Sequence, residues 1–509
     1  MPTSYLNPAE DVLLDPFSSV VIIGSKEKLQ CKSTEKWLTE QFKTSFCWLT
    51  AIVSTLSTSS DEAAYTEHWL TSSGKEKKDI MTHWSIGLLP SAVGRHNIRA
   101  RPHAITSVVK KVRKKGDEKT LVILVLEDVE DALAAGLAVA RAQSLYTSKT
   151  GKAGETMEPL TILFATAVSS TTLCQLHAVS AGIQLAARLV DAPPNECHTD
   201  RMVQEAVEVA DRYSVKHVVI RGEELAEKGL GGLYGVGKAA VHPPSLVLLS
   251  YCPPGVAETV ESIVMVGKGI VYDTGGLSIK SKDTMPGMKA DMGGSAAILG
   301  AFESAMMSSI VKKRPLHAIL CLAENAVASN ATRPDDVHTL YSGRTVEINN
   351  TDAEGRLVLG DGVAYAVEHL SPHVIIDIAT LTGAQGVSTG RYFGALYCNE
   401  ERLENLAVAA GRKCGDLVHP LPYAPEFFRP EFKSAVADMK NSVKDRSNAQ
   451  VSCAGQFIGN HLGVFQETGR WLHVDMASPA VTKLDERATG YGVALLHTLI
   501  EKLEDEDNK

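Results

Sequence analysis

The stretch "VGKGIVYDTGGLSIKSKDTMPGMKADMGGSAA" (residues 266–297) opens as a strand and closes as a helix. Its first part belongs to the apolar run "SIVMVGKGI" (262–270), which suits a strand buried on both faces. Its last part leads into "SAAILGAFESAMM" (295–307), a helical pattern. Lys268, Asp273, Lys280 and Asp291 stand here amid seven glycines. Open α/β sheets bind ligands at the carboxyl ends of their strands. Asp273 lies just past such an end, and Asp291 stands just ahead of the Gly-Gly pair that opens the helix.

The same alternation runs outward in both directions. "SLVLLSY" (245–251), "LHAILCLAE" (316–324) and "HVIIDIAT" (373–380) are further buried strands, and "LVLGDGVAYAVEHL" (357–370) is a second helix between them. Upstream, "SVVIIG" (19–24), "TLVILVLED" (120–128) and "LTILFATA" (160–167) read as strands. "DALAAGLAVARAQSLY" (131–146) reads as a helix and "TSKTGKAGETMEP" (147–159) as a loop. The long helical pattern "TTLCQLHAVSAGIQLAARLV" (171–190), stopped by Pro193 and Pro194, marks a domain boundary. The fold class expected is α/β in two domains. A smaller N-terminal α/β domain (1–170) precedes a larger catalytic α/β domain (171–509) with a mixed, helix-covered central sheet.

Composition narrows the function classes. The chain has 509 residues, more than one ordinary core accommodates. Its 44% hydrophobic and 22% charged residues are ordinary for a soluble globular protein. A net charge of -9 gives no electrostatic case for nucleic acid. The basic run "KKVRKKGDEK" (110–119) is diluted at once by Asp117 and Glu118 and reads as a solvated helix end. No signal peptide and no membrane span are expected. Nine dispersed cysteines without a C-x-x-C pair suggest free thiols and a cytoplasmic location. The acidic tail "EKLEDEDNK" is expected to fray.

A second stretch carries more acids: "NNTDAEGRLVLGDG" (349–362), at the end of the strand-like "GRTVEINN" (343–350). In an extended segment, residues i and i+2 point the same way. Asp352 and Glu354 would therefore face one spot, and two carboxylates so placed repel unless a cation sits between them or one takes a proton. Together with Asp273 and Asp291 they make four carboxylates at one rim. Oxygen-rich clusters bind Mg²⁺, Mn²⁺ or Zn²⁺. There is no H-E-x-x-H motif, and four acids suit a bridged two-metal centre. Arg356 stays charged and cannot be a ligand. At the start of a helix near Leu357 it would instead grip an anion.

These residues resemble the leucyl aminopeptidase (cytosol aminopeptidase) family of two-metal exopeptidases. "NTDAEGRLVL", "VGKGI-x-x-D-x-GG-x-x-x-K" and "ADMGG" carry the likeness, with "VGKAAVHPPSLVLLSY" (236–251), "LAENAVASNATRPDDV" (322–337), "IATLTGA" (378–384) and "TGYGVALL" (489–496) in support. It covers roughly residues 175 to 498. The first 170 residues match weakly, as in a divergent aminopeptidase-like branch. The resemblance implies that Lys268, Asp273, Asp291 and Glu354 hold a tighter metal ion, and that Asp273, Asp352 and Glu354 hold an exchangeable one. It makes Lys280 the catalytic electrophile, and it makes Arg356 the holder of a bicarbonate general base that assists a metal-bridging hydroxide. It places Met288, Asn350, Thr380, Leu381, Gly383 and Ala477 around the substrate. It implies two divalent ions per subunit (Zn²⁺ or Mn²⁺, with Mg²⁺ an option at the exchangeable site), peptide substrates with a free, leucine-like N-terminus, and a homohexamer.

Lys289, Gly360 and Ala480 depart from commoner family residues; none is a metal ligand. Other function classes have weaker support. An inactive scaffold on this fold would show a lost ligand, and all five are present. A nucleic-acid-binding role has only the 110–119 run behind it. A two-metal phosphatase would not explain the lysine ligand.

Overall fold

The computed structural model describes residues 3–8, 12–14, 17–73, 79–113, 119–150 and 160–506. The chain forms two compact units. One comprises residues 1–184 with 412–415, the other 185–411 with 416–509, so the division falls inside helix Ser170–Asp191.

The first unit is built on six strands in the spatial order Thr3–Leu6, Leu160–Phe164, Thr120–Val125, Ser19–Gly24, Asp79–Leu88, Ala64–Ser73. All neighbours are parallel except the last pair, an antiparallel hairpin at the edge. Ser19–Gly24 and Thr120–Val125 are buried along their whole length, as their unbroken apolar runs require. Phe46, Trp84, Ile22 and Ile123 anchor the core beside them. The helix expected over 131–146 ends earlier, at Ala140. Of the expected loop 147–159, residues 151–159 lie outside the described residues, as do 114–118 of the basic run. The start of that run, 110–112, closes helix Pro102–Val112.

Helix Ser170–Asp191 is long and apolar enough by composition to cross a membrane. Most of it is buried within the fold, and the Ser180 hydroxyl pairs with the Tyr5 hydroxyl. Gln184 Nε2 donates to Thr3 Oγ1 at 3.1 Å. These are the contacts of a core helix.

The second unit carries an eight-stranded mixed sheet. Its order is Val418–Pro420, Gly394–Cys398, Arg470–Asp475, Pro372–Ala379, Ser262–Asp273, Leu316–Asn325, Ser245–Tyr251, Lys216–Arg221. The four strands from Arg470–Asp475 to Leu316–Asn325 are parallel, and antiparallel pairings flank them. Strand Ser262–Asp273 lies inside that parallel group. A Cβ on Gly267 would strike Ser295 of helix Gly293–Ser308, whereas its neighbour Val266 meets Gly362 of helix Gly355–His369. Adjacent strand residues point to opposite faces, so the two helices cover the two sides. Lys268, in register with Val266, faces the second helix.

Two expectations need correction here. The strand read into 343–350 shrinks to Thr345–Glu347, which pairs in a separate three-stranded sheet and not in the central one. Glu501–Glu506 of the acidic tail do not fray. They continue helix Val493–Glu506, where Glu504 accepts the amides of Lys312 and Lys313 at 2.9 and 2.7 Å. Glu506 pairs with Arg470 and Arg402 at 2.8 Å each. Residues 507–509 lie outside the described residues.

Candidate metal centre

The central strand delivers Lys268 from its interior and Asp273 from its carboxyl end, both almost fully buried. Asp291 comes from the short 3-10 turn Met288–Met292 that leads into helix Gly293–Ser308. Glu354 caps the start of helix Gly355–His369, and Asp352 sits in the turn just before it. Asp352 and Glu354 thus converge through a turn, not through the extended segment that their spacing suggested. The outcome is the same: Asp273, Asp352 and Glu354 each offer an oxygen, and the three lie within 4.8 Å of one another.

Two lysines bind this cluster together. Lys268 Nζ donates to Asp291 Oδ1 at 2.7 Å and to the Thr380 carbonyl at 2.9 Å, and lies 2.9 Å from Glu354 Oε1. Lys280 Nζ reaches Asp273 Oδ2 at 2.8 Å and Asp352 Oδ1 at 2.5 Å. The path of Lys268 depends on Gly355, because a Cβ there would fall 2.5 Å from Lys268 Cε and 2.7 Å from Nζ. The turn that presents Lys280 depends on Gly275 at φ +84°, where a Cβ would meet Ser278 O at 2.6 Å.

Electrostatics show what the cluster lacks. Burial pushes the Asp291 carboxyl well up, and raises Asp352 and Glu354 with it. Burial works to lower Lys268, but Asp291, Glu354 and Asp273 outweigh it and hold the ammonium above the usual lysine range. Lys280 is raised in the same way by Asp273 and Asp352. Four carboxylates face two ammonium groups, a site short of positive charge. Asp291 Oδ2 and Glu354 Oε2 are buried with no hydrogen-bond partner. Leaving such oxygens unpaired is costly, and cations are the partners that remove the cost. The donor set therefore fits divalent ions. With them present, Lys268 would give up its proton and offer a lone pair.

Arg356 is the second residue of the helix, not the residue before it. It is half-buried, and desolvation of its guanidinium pulls the pKa down to about 10. It makes no ion pair with any acid among the described residues. Nη1 donates to the Asn441 carbonyl at 2.9 Å, Nε has no partner, and the group lies near the rings of Phe432 and Phe457. Glu354 and Asp475 act on it only through the longer-range field, and its Nε stays unpaired.

The expected substrate residues fall on four segments. Met288 begins the 3-10 turn that carries Asp291. Asn350 Oδ1 accepts the Asp352 amide at 3.0 Å. Thr380, Leu381 and Gly383 follow strand Pro372–Ala379, and Ala477 follows strand Arg470–Asp475. Thr380 Oγ1 donates to Asp291 Oδ1 at 2.9 Å, and the space beside Gly383 is open.

Three residues escaped the sequence reading. Asn325 ends its strand and donates to Asp273 Oδ1 at 2.8 Å. Asn441 accepts the amides of Asn349 and Asn350 at 2.9 and 3.2 Å and donates to the carbonyls of Asn350 and Ala353 at 2.6 and 3.2 Å, so it sews down the turn that bears Asp352. Asp475 ends a strand as Asp273 does, but its strand was not identified from sequence. A separate group, His198, Asp200 and His242, also brings three donor atoms within 4.8 Å. Its two imidazoles are stacked at 3.6 Å and 6°, so their in-plane lone pairs do not converge on one point.

Comparison with known proteins agrees with this geometry. Residues 184–497 match the model of the cytosol aminopeptidase family, catalytic domain. Residues 18–152 match the M17 aminopeptidase N-terminal domain 2. The chain belongs to the M17 cytosol aminopeptidase family. Among its relatives, probable aminopeptidase NPEPL1 of Mus musculus is 52% identical over 82% of this chain and 79% of its own length. Leucine aminopeptidase 1 of Caenorhabditis elegans is 44% identical over 81% and 83%. The apo structure of leucyl aminopeptidase from Trypanosoma cruzi superposes with a TM-score of 0.87 at 40% identity, covering 96% of this chain and 93% of that one. The N-terminal part, weak in its family likeness by sequence reading, is thus of the same family.

Proposed function

We propose that this chain is a two-metal aminopeptidase that removes N-terminal amino acids, leucine-like ones preferred, from peptides. The observation that carries this reading is the convergence of Asp273, Asp352 and Glu354 within 4.8 Å, with Lys268 set between Glu354 and Asp291. Lys268, Asp273, Asp291 and Glu354 would hold one cation. Asp273, Asp352 and Glu354 would hold the other. Two such ions supply an acidified water, a polarised scissile carbonyl and an anchor for the substrate's free amine.

The chain's own groups do the rest. Lys280, kept charged and partly exposed, stabilises the negative charge that develops on the carbonyl oxygen. Arg356 and the amides at its helix start present an anion site; bicarbonate held there would supply a general base. Thr380, Leu381, Gly383, Ala477 and Met288 shape the side-chain pocket, and Asn350 fixes the turn at Asp352. The nine cysteines form no disulfide, which suits a reducing compartment such as the cytoplasm, and family likeness supports a homohexamer.

The test is an assay of purified protein, loaded with Mn²⁺ or Zn²⁺, on leucyl-p-nitroanilide and a panel of other aminoacyl substrates. Turnover that needs a free α-amine is expected. No turnover on any substrate with two ions bound would sink the proposal.

A further inference from the structure

We infer that Asp475 is a positioning residue that clamps the two loops of the substrate side-chain pocket into one unit, and so sets which N-terminal residue is accepted. The inference rests on the aminopeptidase reading above, because it assigns the pocket by that reading.

Asp475 ends strand Arg470–Asp475 and is fully buried. Its carboxylate receives four donors from two different segments. Oδ1 accepts the Leu381 amide at 3.1 Å and the Ala477 amide at 3.2 Å. Oδ2 accepts the Thr382 amide at 3.1 Å and the Thr382 hydroxyl at 2.7 Å. Leu381 and Ala477 are themselves pocket candidates, and Thr380 and Gly383 flank the clamped residues on the chain. A second buried brace joins the same segments: Gln385 Oε1 accepts the Ser478 amide at 2.7 Å. Thr380 also touches the metal cluster, since its carbonyl accepts Lys268 and its hydroxyl donates to Asp291. The clamp thus fixes the pocket wall relative to the candidate metal ligands. Strand ends are otherwise followed by loops free to shift, and a shift of about 1 Å in a positioning element can cost on the order of 10²-fold.

A carboxylate is needed because all four partners are donors. Asp475→Asn keeps the volume but turns one acceptor oxygen into a donor that faces N–H or O–H groups. The experiment measures kcat and KM of the Mn²⁺-loaded enzyme on leucyl- and alanyl-p-nitroanilide, with metal content and amide hydrogen exchange on the same preparations. Discrimination by one methylene is worth about 10–200-fold, so a loosened pocket should lose roughly tenfold of its leucine-over-alanine preference, mostly through KM for leucine. Two ions per subunit are retained, and the amides of Leu381, Thr382 and Ala477 exchange at least about tenfold faster. Thr382→Val, which removes one donor, gives the same change in smaller measure, and Thr382→Ser recovers it. This second pair carries the test if Asp475→Asn does not fold. A uniform fall in kcat with selectivity and KM unchanged overturns the inference, as does unaltered exchange at the three amides. If the parent enzyme turns over no substrate, the proposed function has failed, and exchange alone decides the clamp.

Discussion

The two sheets of this protein follow one plan and end in different chemistry. Each has a block of parallel strands with apolar, β-branched interiors and antiparallel pairing toward an edge. In the first unit the parallel strands end at Leu6, Gly24, Leu88, Val125 and Phe164, none of them ionisable. In the second they end at Asp273, Asn325, Ala379 and Asp475, with Thr380 directly after Ala379. A doubly covered parallel sheet offers a crevice at its carboxyl edge whatever the sequence. Among the described residues, only the second sheet ends parallel strands on carboxylates. The fold supplies the place, and in the function proposed above a few strand-end residues supply the chemistry.

Replacing strand-end residues of the second sheet should therefore abolish chemistry, while the same effort spent on the first should cost only stability. Asp273→Ala touches both cation positions at once. A fall in kcat/KM on the order of 10³ or more is expected, with circular dichroism unchanged, since several kcal/mol of charge stabilisation go with the ions. A variant with near-normal turnover would break the contrast. In the first unit, Phe46→Ala removes a wholly buried ring from the core beside the sheet and should cost about 3–5 kcal/mol in denaturant unfolding. Its kcat/KM per folded molecule should match the parent; a selective loss of catalysis would show that the first unit takes part in the chemistry. Lys280→Met keeps length and removes charge. It should lower kcat by roughly 10²–10³ while two ions stay bound, and an unchanged kcat would remove Lys280 from its role.

The smallest effect is a pH dependence lodged in the second unit. Burial lowers His461 to about 3, and its Nδ1 pairs with the Ser342 hydroxyl at 2.7 Å. In the unfolded chain the ring titrates near its ordinary value of about 6.5. Between these values the unfolded state binds the extra proton, so the folded state loses stability as pH falls below about 6.5, at up to about 1.4 kcal/mol per pH unit. Unfolding midpoints of parent and His461→Gln between pH 4 and 7 test this. A slope equal in both would contradict it.

The sequence made the central strands legible because their apolar runs are unbroken: Ser245–Tyr251 and Ser19–Gly24 fall where the pattern put them. It hid Arg470–Asp475, one of the four central parallel strands. "RWLHVD" carries an arginine, a histidine and an aspartate, which break the apolar run. Its histidine is buried because it is paired across the sheet. His473 Nδ1 lies 2.5 Å from Asp377 Oδ1, and Trp471 Nε1 donates to Asp377 Oδ2 at 2.7 Å. Such pairing spans some ninety positions of chain and leaves no local signal. The candidate ligands were legible through their spacing and family likeness. Asn325 and Asn441 were not, because a neutral amide that braces a turn has no pattern of its own.

The central claim is that the second sheet's edge gathers its carboxylates to hold two divalent ions. Metal analysis of the purified protein, dialysed against excess Mn²⁺ or Zn²⁺ and then freed of unbound ions, tests it most directly. Two equivalents per subunit are expected in the parent and a clear deficit in Asp273→Ala. Saturation at one equivalent, or a parent and a variant that bind alike, would contradict the account.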